Sequence, residues 1–406
     1  MKLHTLMFGW EYPPHHSGGL GVACQGLVRG LLGNGVRVTL VLPHNLGEGE
    51  DQLDVRFPTE EMKSQVLVPS ILDPYDGVRS YEERWQKDCI AKDNPHLYGP
   101  DLAQAVEQFT ALSVELTKDV AADVVHCHDW MTYEAGLRAA KHHGKPLVTH
   151  IHATEFDRTD FHPNSWIAER ERRGLMAADR VIAVSNYTKK LLVSHYGIPS
   201  GKISVVHNGH DQPRDVAPPA LLARYGSRRH PLILFLGRLT VQKNPWQFLE
   251  IARLVRAHRP DAEFVMAGDG PMMPQLIDRA CALGLQDSVI FTGKVDKREV
   301  QSLYQAASVF VMPSLSEPFG LVALEAIAHG APVIVSKQSG VAEVLDHAFK
   351  VDYWDAEKMA DCILTILREE PLALQLKTEA PRILQRLTWR NQADKVRSIY
   401  SNLSHS

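Results

Sequence analysis

Only five cysteines, Cys24, Cys89, Cys127, Cys281 and Cys362, are scattered through the 406 residues of this chain. None forms a C-x-x-C pair, which argues against a zinc ribbon, a redox dithiol and a disulfide framework and suits a reducing compartment, so a cytoplasmic location is expected. Long apolar runs are missing too. Met1-Lys2-Leu3-His4-Thr5-Leu6 leads into a strand pattern and Gly9 without the apolar core of a signal peptide, and no later stretch approaches about 18 apolar residues. Neither export nor stable membrane insertion is expected. Basic charge is not in excess: 44 Lys+Arg stand against 48 Asp+Glu, for a formal net charge of -4. A nucleic-acid partner therefore finds no support, and any phosphate site must be built locally. G-x-G-x-x-G is absent, which weakens a dinucleotide reading. No Asp-x-Asp or Cys/His set supports a diphosphate-bound metal, so no metal and no cofactor are expected. Internal repeats and low-complexity tracts are absent, and nothing speaks to oligomeric state.

What is present is an ordinary globular composition, 44% hydrophobic and 23% charged. At about 150 residues per domain the length suggests two large domains. Short apolar runs at Leu3–Phe8, Val36–Leu42, Asp123–Cys127, Pro146–His152 and Arg180–Val184 alternate with helix-like spacings such as Leu20, Leu27 and Leu31. That alternation predicts an α/β domain with a parallel sheet. A second series follows at Ile203–Val206, Leu232–Leu236, Glu263–Met266, Val289–Phe291, Val309–Met312 and Val333–Val335. Between the two lies Asn208–Pro219, whose proline and glycine content sustains neither period and marks a linker. Residues just after strands are the functional suspects, because doubly wound sheets bind ligands at the carboxyl ends of their strands. One segment, Glu48–Gly99, breaks the rhythm with Pro58, Pro69, Pro74 and Pro95 and reads as a long excursion, functional or mobile.

Three motifs fall at such positions. Pro13-Pro14-His15-His16-Ser17-Gly18-Gly19-Leu20-Gly21 follows the first strand; glycines there let backbone N–H groups approach a phosphate at a helix N-terminus, and the plainer reading is a tight turn that needs positive φ. Leu236-Gly237-Arg238-Leu239-Thr240-Val241-Gln242-Lys243-Asn244 begins where a buried strand ends. Arg238 can fork two donors onto phosphate oxygens and Lys243 adds a point charge, although two solvated cations on a loop would look the same. The most specific is Ser314-Leu315-Ser316-Glu317-Pro318-Phe319-Gly320-Leu321-Val322-Ala323-Leu324-Glu325-Ala326. Pro318 is expected in the first turn of a helix that ends near Gly330, with Glu317 before it and Glu325 about two turns inside. Two carboxylates so spaced can grip one elongated ligand; the plainer alternative is an acid that favours the helix dipole plus a solvated glutamate.

Together these motifs, with Gly268-Asp269-Gly270, resemble the retaining glycosyltransferases of family 4 and the related bacterial glycogen and starch synthases, over nearly the whole chain. The resemblance implies a GT-B fold: two Rossmann-like doubly wound domains facing a cleft. Residues 1–208 would be the acceptor side, 209–388 the nucleotide-sugar side, and 389–406 a helix returning to the first domain. It implies that Arg238 and Lys243 bind the diphosphate, Glu325 the ribose and Glu317 the transferred sugar. Gly320 and Leu321 would offer backbone donors, Gly18 and Gly19 would close on the phosphates, and Lys294 with Val295 would seat the base. The implied reaction is metal-independent hexosyl transfer, with ADP-glucose or UDP-glucose as donor and a carbohydrate acceptor. Other acceptors, such as a cell-surface polysaccharide, a lipid-linked sugar or a small metabolite, stay open because the chain is short for a glycogen synthase.

Two histidine pairs follow successive strands, His126-x-His128 in His126-Cys127-His128-Asp129-Trp130 and His150-x-His152 in His150-Ile151-His152-Ala153-Thr154-Glu155. His152 matches the histidine that the glucan synthases place beside the sugar ring. The pairs also motivate a rival, a zinc-dependent hydrolase, which leaves every motif of the second half unused. Where the synthases carry lysine two residues before the paired glycines this chain has His16, so a non-catalytic nucleotide-sugar binder is a second rival. Asn244 stands where relatives often have glycine. In Asn164–Gly174, Trp166, Arg170, Arg172 and Arg173 suggest membrane docking, but interleaved Glu169 and Glu171 favour a solvated helix face.

Overall fold

The computed structural model describes residues 2–15, 18–45, 53–64, 102–210 and 230–404. It divides into two compact units: Met1–Phe156 with Phe161–Gly209 and Leu387–Ser406, and His210–Arg386 with Asp157–Asp160. His16, most of the Glu48–Gly99 excursion and the linker beyond residue 210 lie outside the described residues.

The first unit is a seven-stranded parallel sheet of β1 (His4–Phe8), β2 (Arg37–Val41), β3 (Asp54–Arg56), β4 (Val124–His128), β5 (Leu147–Ile151), β6 (Arg180–Ala183) and β7 (Ile203–Val205). Their order is β3-β2-β1-β4-β5-β6-β7. β1, β4 and β5 are buried along their whole length, as strands sandwiched between helix layers must be, which is why they read as continuous apolar runs rather than alternating ones. The helices between them carry ordinary signals. Ser185 caps Asn186–Tyr196 by accepting from the Thr188 amide, and left-handed Gly197 ends it.

The C-terminal helix Trp389–Ser404 belongs to this unit and buries Trp389, Gln392, Ala393, Val396 and Tyr400, one face at helical spacing. It lies against Gly19–Gly33, where glycine is needed for approach. A Cβ on Gly26 would sit 2.1 Å from Trp389, and one on Gly30 would sit 2.6 Å from the Trp389 carbonyl oxygen.

The second unit repeats the design with six parallel strands: β8 (Leu232–Leu236), β9 (Glu263–Ala267), β10 (Val289–Gly293), β11 (Val309–Met312), β12 (Val333–Ser336) and β13 (Phe349–Val351). Their order is β10-β9-β8-β11-β12-β13. Each sheet thus reverses direction beside its first strand, between β1 and β4 and between β8 and β11. Such a reversal opens the crevice where α/β sheets bind ligands. Each unit has its own apolar core.

Two expectations are corrected here. Pro318 is not in the first turn of a helix: the helix is Leu321–Ala328, so Glu325 is its fifth residue, little more than one turn in. The solvated helix face is Ser165–Ala177, where Arg172 pairs with Glu169 at 2.8 Å and Arg170 lies over the Trp166 ring at 4.1 Å and pairs with Glu107. Glu171, however, is buried and accepts from the Glu155 amide and the Tyr196 hydroxyl.

Candidate active site

In the second unit the loops after β8 and β11, the strands flanking the reversal, are fastened to each other. The Leu315 amide donates to the Gln242 carbonyl at 2.9 Å and the Gln242 side-chain amide to the Ser316 carbonyl at 3.0 Å. Asn244 reaches the Pro313 carbonyl with its side-chain amide at 3.1 Å. Asn244 also explains its own identity: it lies at φ 54°, ψ 52°, the left-handed region that glycine enters freely and asparagine tolerates best among the other residues.

This mesh brings Lys243 to Glu317. Lys243 Nζ donates to Glu317 Oε2, and Ser314 Oγ lies 3.4 Å from the same oxygen. The Glu317 backbone is pinned as well, its amide donating to the Gln338 carbonyl and its carbonyl accepting from Gly340, both at 2.9 Å. The backbone around Arg238 is held by the turn after β9. The Gly237 amide donates to Ala267 at 3.0 Å and the Leu239 amide to Asp269 at 2.9 Å. A Cβ on Gly268 would fall 2.1 Å from the Gly237 carbonyl oxygen, so Gly268-Asp269-Gly270 serves backbone packing beneath Arg238. Arg238 itself is half-buried.

Gly320 precedes the helix Leu321–Ala328 at φ 107°, and a Cβ there would press on Met312 and Val341 at 3.0–3.2 Å. Both the conformation and the space therefore require glycine, and the first-turn amides of Leu321 and its successors form a ready anion site. Glu325 Oε2 accepts from the Tyr304 hydroxyl at 3.0 Å. Burial pushes the Glu325 carboxyl above the ordinary carboxylate range, opposed by that hydrogen bond and by the charges of His329 and Lys297. Sequence reasoning missed Tyr304, because its helix, Lys297–Ala306, precedes β11 and only the fold brings it under Glu325. Lys294 is exposed and Val295 half-buried, just after β10 at the sheet edge.

In the first unit Gly18 is the residue before the helix Gly19–Gly33, at φ −174°. That is extended backbone, so the positive-φ turn is not what calls for glycine there. After β4, Asp129 sits at φ 58°, uncommon for a residue with a side chain and a mark of a constrained position. Its Oδ1 accepts from the His152 amide at 2.7 Å, and its own amide donates to the His150 carbonyl at 2.9 Å. Asp129 thus fixes the backbone of His152, a role that the His-Asp-Trp spelling alone did not disclose.

Two family models match the chain: Glycosyltransferase Family 4 over residues 17–214 and Glycosyl transferases group 1 over residues 224–383. An uncharacterised glycosyltransferase of Methanocaldococcus jannaschii is 30% identical, over 98% of both chains. The chain belongs to glycosyltransferase family 4. This glycosyltransferase is also 27% identical to the glycogen synthase of Mycobacterium tuberculosis, over 98% of its own chain and 94% of the relative's. Among solved structures, sucrose-phosphate synthase from Thermosynechococcus elongatus superposes with a TM-score of 0.74 at 20% identity, over 99% of each chain. The catalytic domain of starch synthase IV from Arabidopsis thaliana, bound to ADP and acarbose, does so with 0.72 at 18% identity, over the whole of both. At those identities the likeness establishes the GT-B fold of this glycosyltransferase. No helix of the described residues is long and apolar enough to cross a membrane.

Proposed function

We propose that this glycosyltransferase moves a glucosyl group from a nucleotide-diphosphate sugar, ADP-glucose or UDP-glucose, to a glycan acceptor with retention of anomeric configuration, as a cytoplasmic glucan synthase-like enzyme. The observation that carries the reading is the pairing of Lys243 with Glu317 on two loops fastened together beside the β8–β11 reversal. One residue there bears the charge that a departing diphosphate needs, and its neighbour bears the acceptor oxygens that a sugar's hydroxyls need. The glycogen synthase relative and the starch synthase neighbour with ADP support the glucosyl donor.

In this reading Arg238 and Lys243 neutralise the diphosphate, without a divalent ion on it, and the amides of Gly320 and Leu321 add donors. Glu317 holds the transferred sugar and Glu325 the ribose, while Lys294 and Val295 flank the base. From the first unit Gly18 and Gly19 contribute amides to the phosphates, and His152, oriented by Asp129, meets the sugar ring. As the glycosidic bond to the diphosphate breaks, the anomeric carbon gains oxocarbenium character. The acceptor hydroxyl adds on the face the leaving group vacates, and its proton passes to a diphosphate oxygen. Neither Glu317 nor Glu325 forms a covalent bond.

The test is a screen of ADP-, UDP- and GDP-sugars for donor hydrolysis and for transfer to glycogen, with the product's anomeric configuration read by NMR. Turnover of a glucose donor with an α-linked product supports the proposal. Transfer with inversion, or turnover confined to a non-glucosyl donor, overturns it.

A further inference from the structure

His126 and His128 of β4, His150 of β5 and His152 just beyond it form one ladder. His126 and His128 alternate on β4, His150 and His152 continue the same face from β5, and the register sets His128 opposite His150. Ring centroids lie 4.5 Å apart for His126 and His128, 5.2 Å for His128 and His150, and 4.4 Å for His150 and His152. His126 and His128 are fully buried and His150 nearly so. Imidazoles packed this way, each carrying a polar ring nitrogen, are expensive unless something meets those nitrogens.

The hydrogen bonds that do exist are one-sided. His126 Nδ1 pairs with the Tyr400 hydroxyl, and His128 Nδ1 pairs with His152 Nε2 at 2.8 Å. The other nitrogens, Nε2 of His126, Nε2 of His128, both of His150 and Nδ1 of His152, are buried without a hydrogen-bond partner among the described residues. His126 and His128 thus show the pattern of imidazoles prepared for a metal, one nitrogen anchored by an outer partner that sets tautomer and ring plane and the other left with its lone pair, while His150 beside them has both nitrogens open.

We propose that His126, His128 and His150 bind a single late first-row divalent ion, Zn²⁺ or Co²⁺, with Tyr400 orienting the His126 ring and His152 the His128 ring. The candidate ligand atoms already lie within 4.8 Å of one another. Bonds of about 2.0 Å place tetrahedral ligands about 3.3 Å apart, so binding requires the stacked rings to turn their lone pairs toward one point and draw together. Three neutral imidazoles and no carboxylate select Zn²⁺, Co²⁺, Ni²⁺ or Cu²⁺ over Mg²⁺, Ca²⁺ and Mn²⁺. Because Tyr400 lies on the C-terminal helix, the ion ties that helix to β4 and β5 and acts as a structural element of the first unit. The site shares His152 with the donor reading, as the outer partner of His128, but takes none of its ligands from the groups assigned to the donor.

The test uses the whole chain, stripped of metal and titrated with Co²⁺, then Zn²⁺. The expected result is an intense visible absorption of low-symmetry, four- or five-coordinate Co²⁺ that saturates at one ion per chain and is bleached by Zn²⁺, with a raised unfolding temperature in either metal. His126→Gln should abolish the band, whereas exposed His258→Gln should leave it intact. If His126→Gln does not fold, the wild-type titration decides alone. A wild-type protein that takes up no Co²⁺, or shows only the weak band of octahedral Co²⁺, overturns the proposal and means that water meets these nitrogens. So does a band that survives in folded His126→Gln.

Discussion

Lys243 Nζ and Glu317 Oε2 form a hydrogen-bonded ion pair whose side chains are 24% and 8% exposed. Each is therefore a large part of the other's surroundings. The pair joins the loops after β8 and β11, which backbone and amide hydrogen bonds already hold together, so the cation is positioned before any ligand arrives. Positive charge fixed in advance needs no reorganisation when a leaving group gains its charge, the condition under which such groups are most effective.

Lys243→Ala should lower kcat by about 10²–10³, the size of effect seen when one preorganised group facing developing charge is removed. The loops keep their ties through Gln242 and Asn244, so the far-ultraviolet circular dichroism should be unchanged and the unfolding temperature should fall only modestly. Kinetics with a saturating donor check this. A variant with undiminished kcat shows that Lys243 does not face the leaving group.

Asn244 does two things, and substitutions separate them. Asn244→Gly keeps the left-handed backbone and loses the bond to Pro313, while Asn244→Ala loses both and adds about 1 kcal/mol of conformational cost. The expected order of stability in denaturant titrations is wild type, then Gly, then Ala, with the Gly variant retaining most activity. An Ala variant as stable as the Gly variant would show that the backbone conformation carries no cost.

Much of this was legible beforehand, for identifiable reasons. The long strands were visible because both of their faces are covered, which forces continuous apolar runs. β3 and β13, three-residue edge strands with few residues to show a period, were not read, and β7, equally short and at an edge, was read but placed in the second series, whereas it pairs with β6 in the first sheet. Lys243, Glu317 and Gly320 were singled out by their place after strands, where the structure does put them. The contact of Tyr304 with Glu325, the clamp of Asp129 on His152 and the burial of Glu171 depend on partners from other elements, which no local pattern encodes. The helix N-terminus was misplaced by three residues because Pro318, favourable in a first turn, instead sits in the loop before Gly320, whose left-handed backbone and lack of a side chain set where the helix begins.

Glu325 contributes a pH dependence that a single substitution isolates. Its carboxyl titrates above the ordinary value of 4.5, chiefly because it is buried. A carboxyl raised in the folded state binds its proton more tightly there than in the unfolded chain, so its contribution to stability is most favourable below about 4.5 and is lost as pH rises through the folded value. Glu325→Gln has nothing to ionise but keeps an oxygen that can accept from Tyr304. Relative to wild type, then, the Gln variant should gain stability as pH rises above the ordinary carboxylate value, until the folded-state carboxyl is ionised too. Urea titrations across that range measure the gap, and Tyr304→Phe, which deletes the hydroxyl, should raise the carboxyl further and widen it. A gap that does not change with pH would mean that the Glu325 carboxyl is not raised in the folded state.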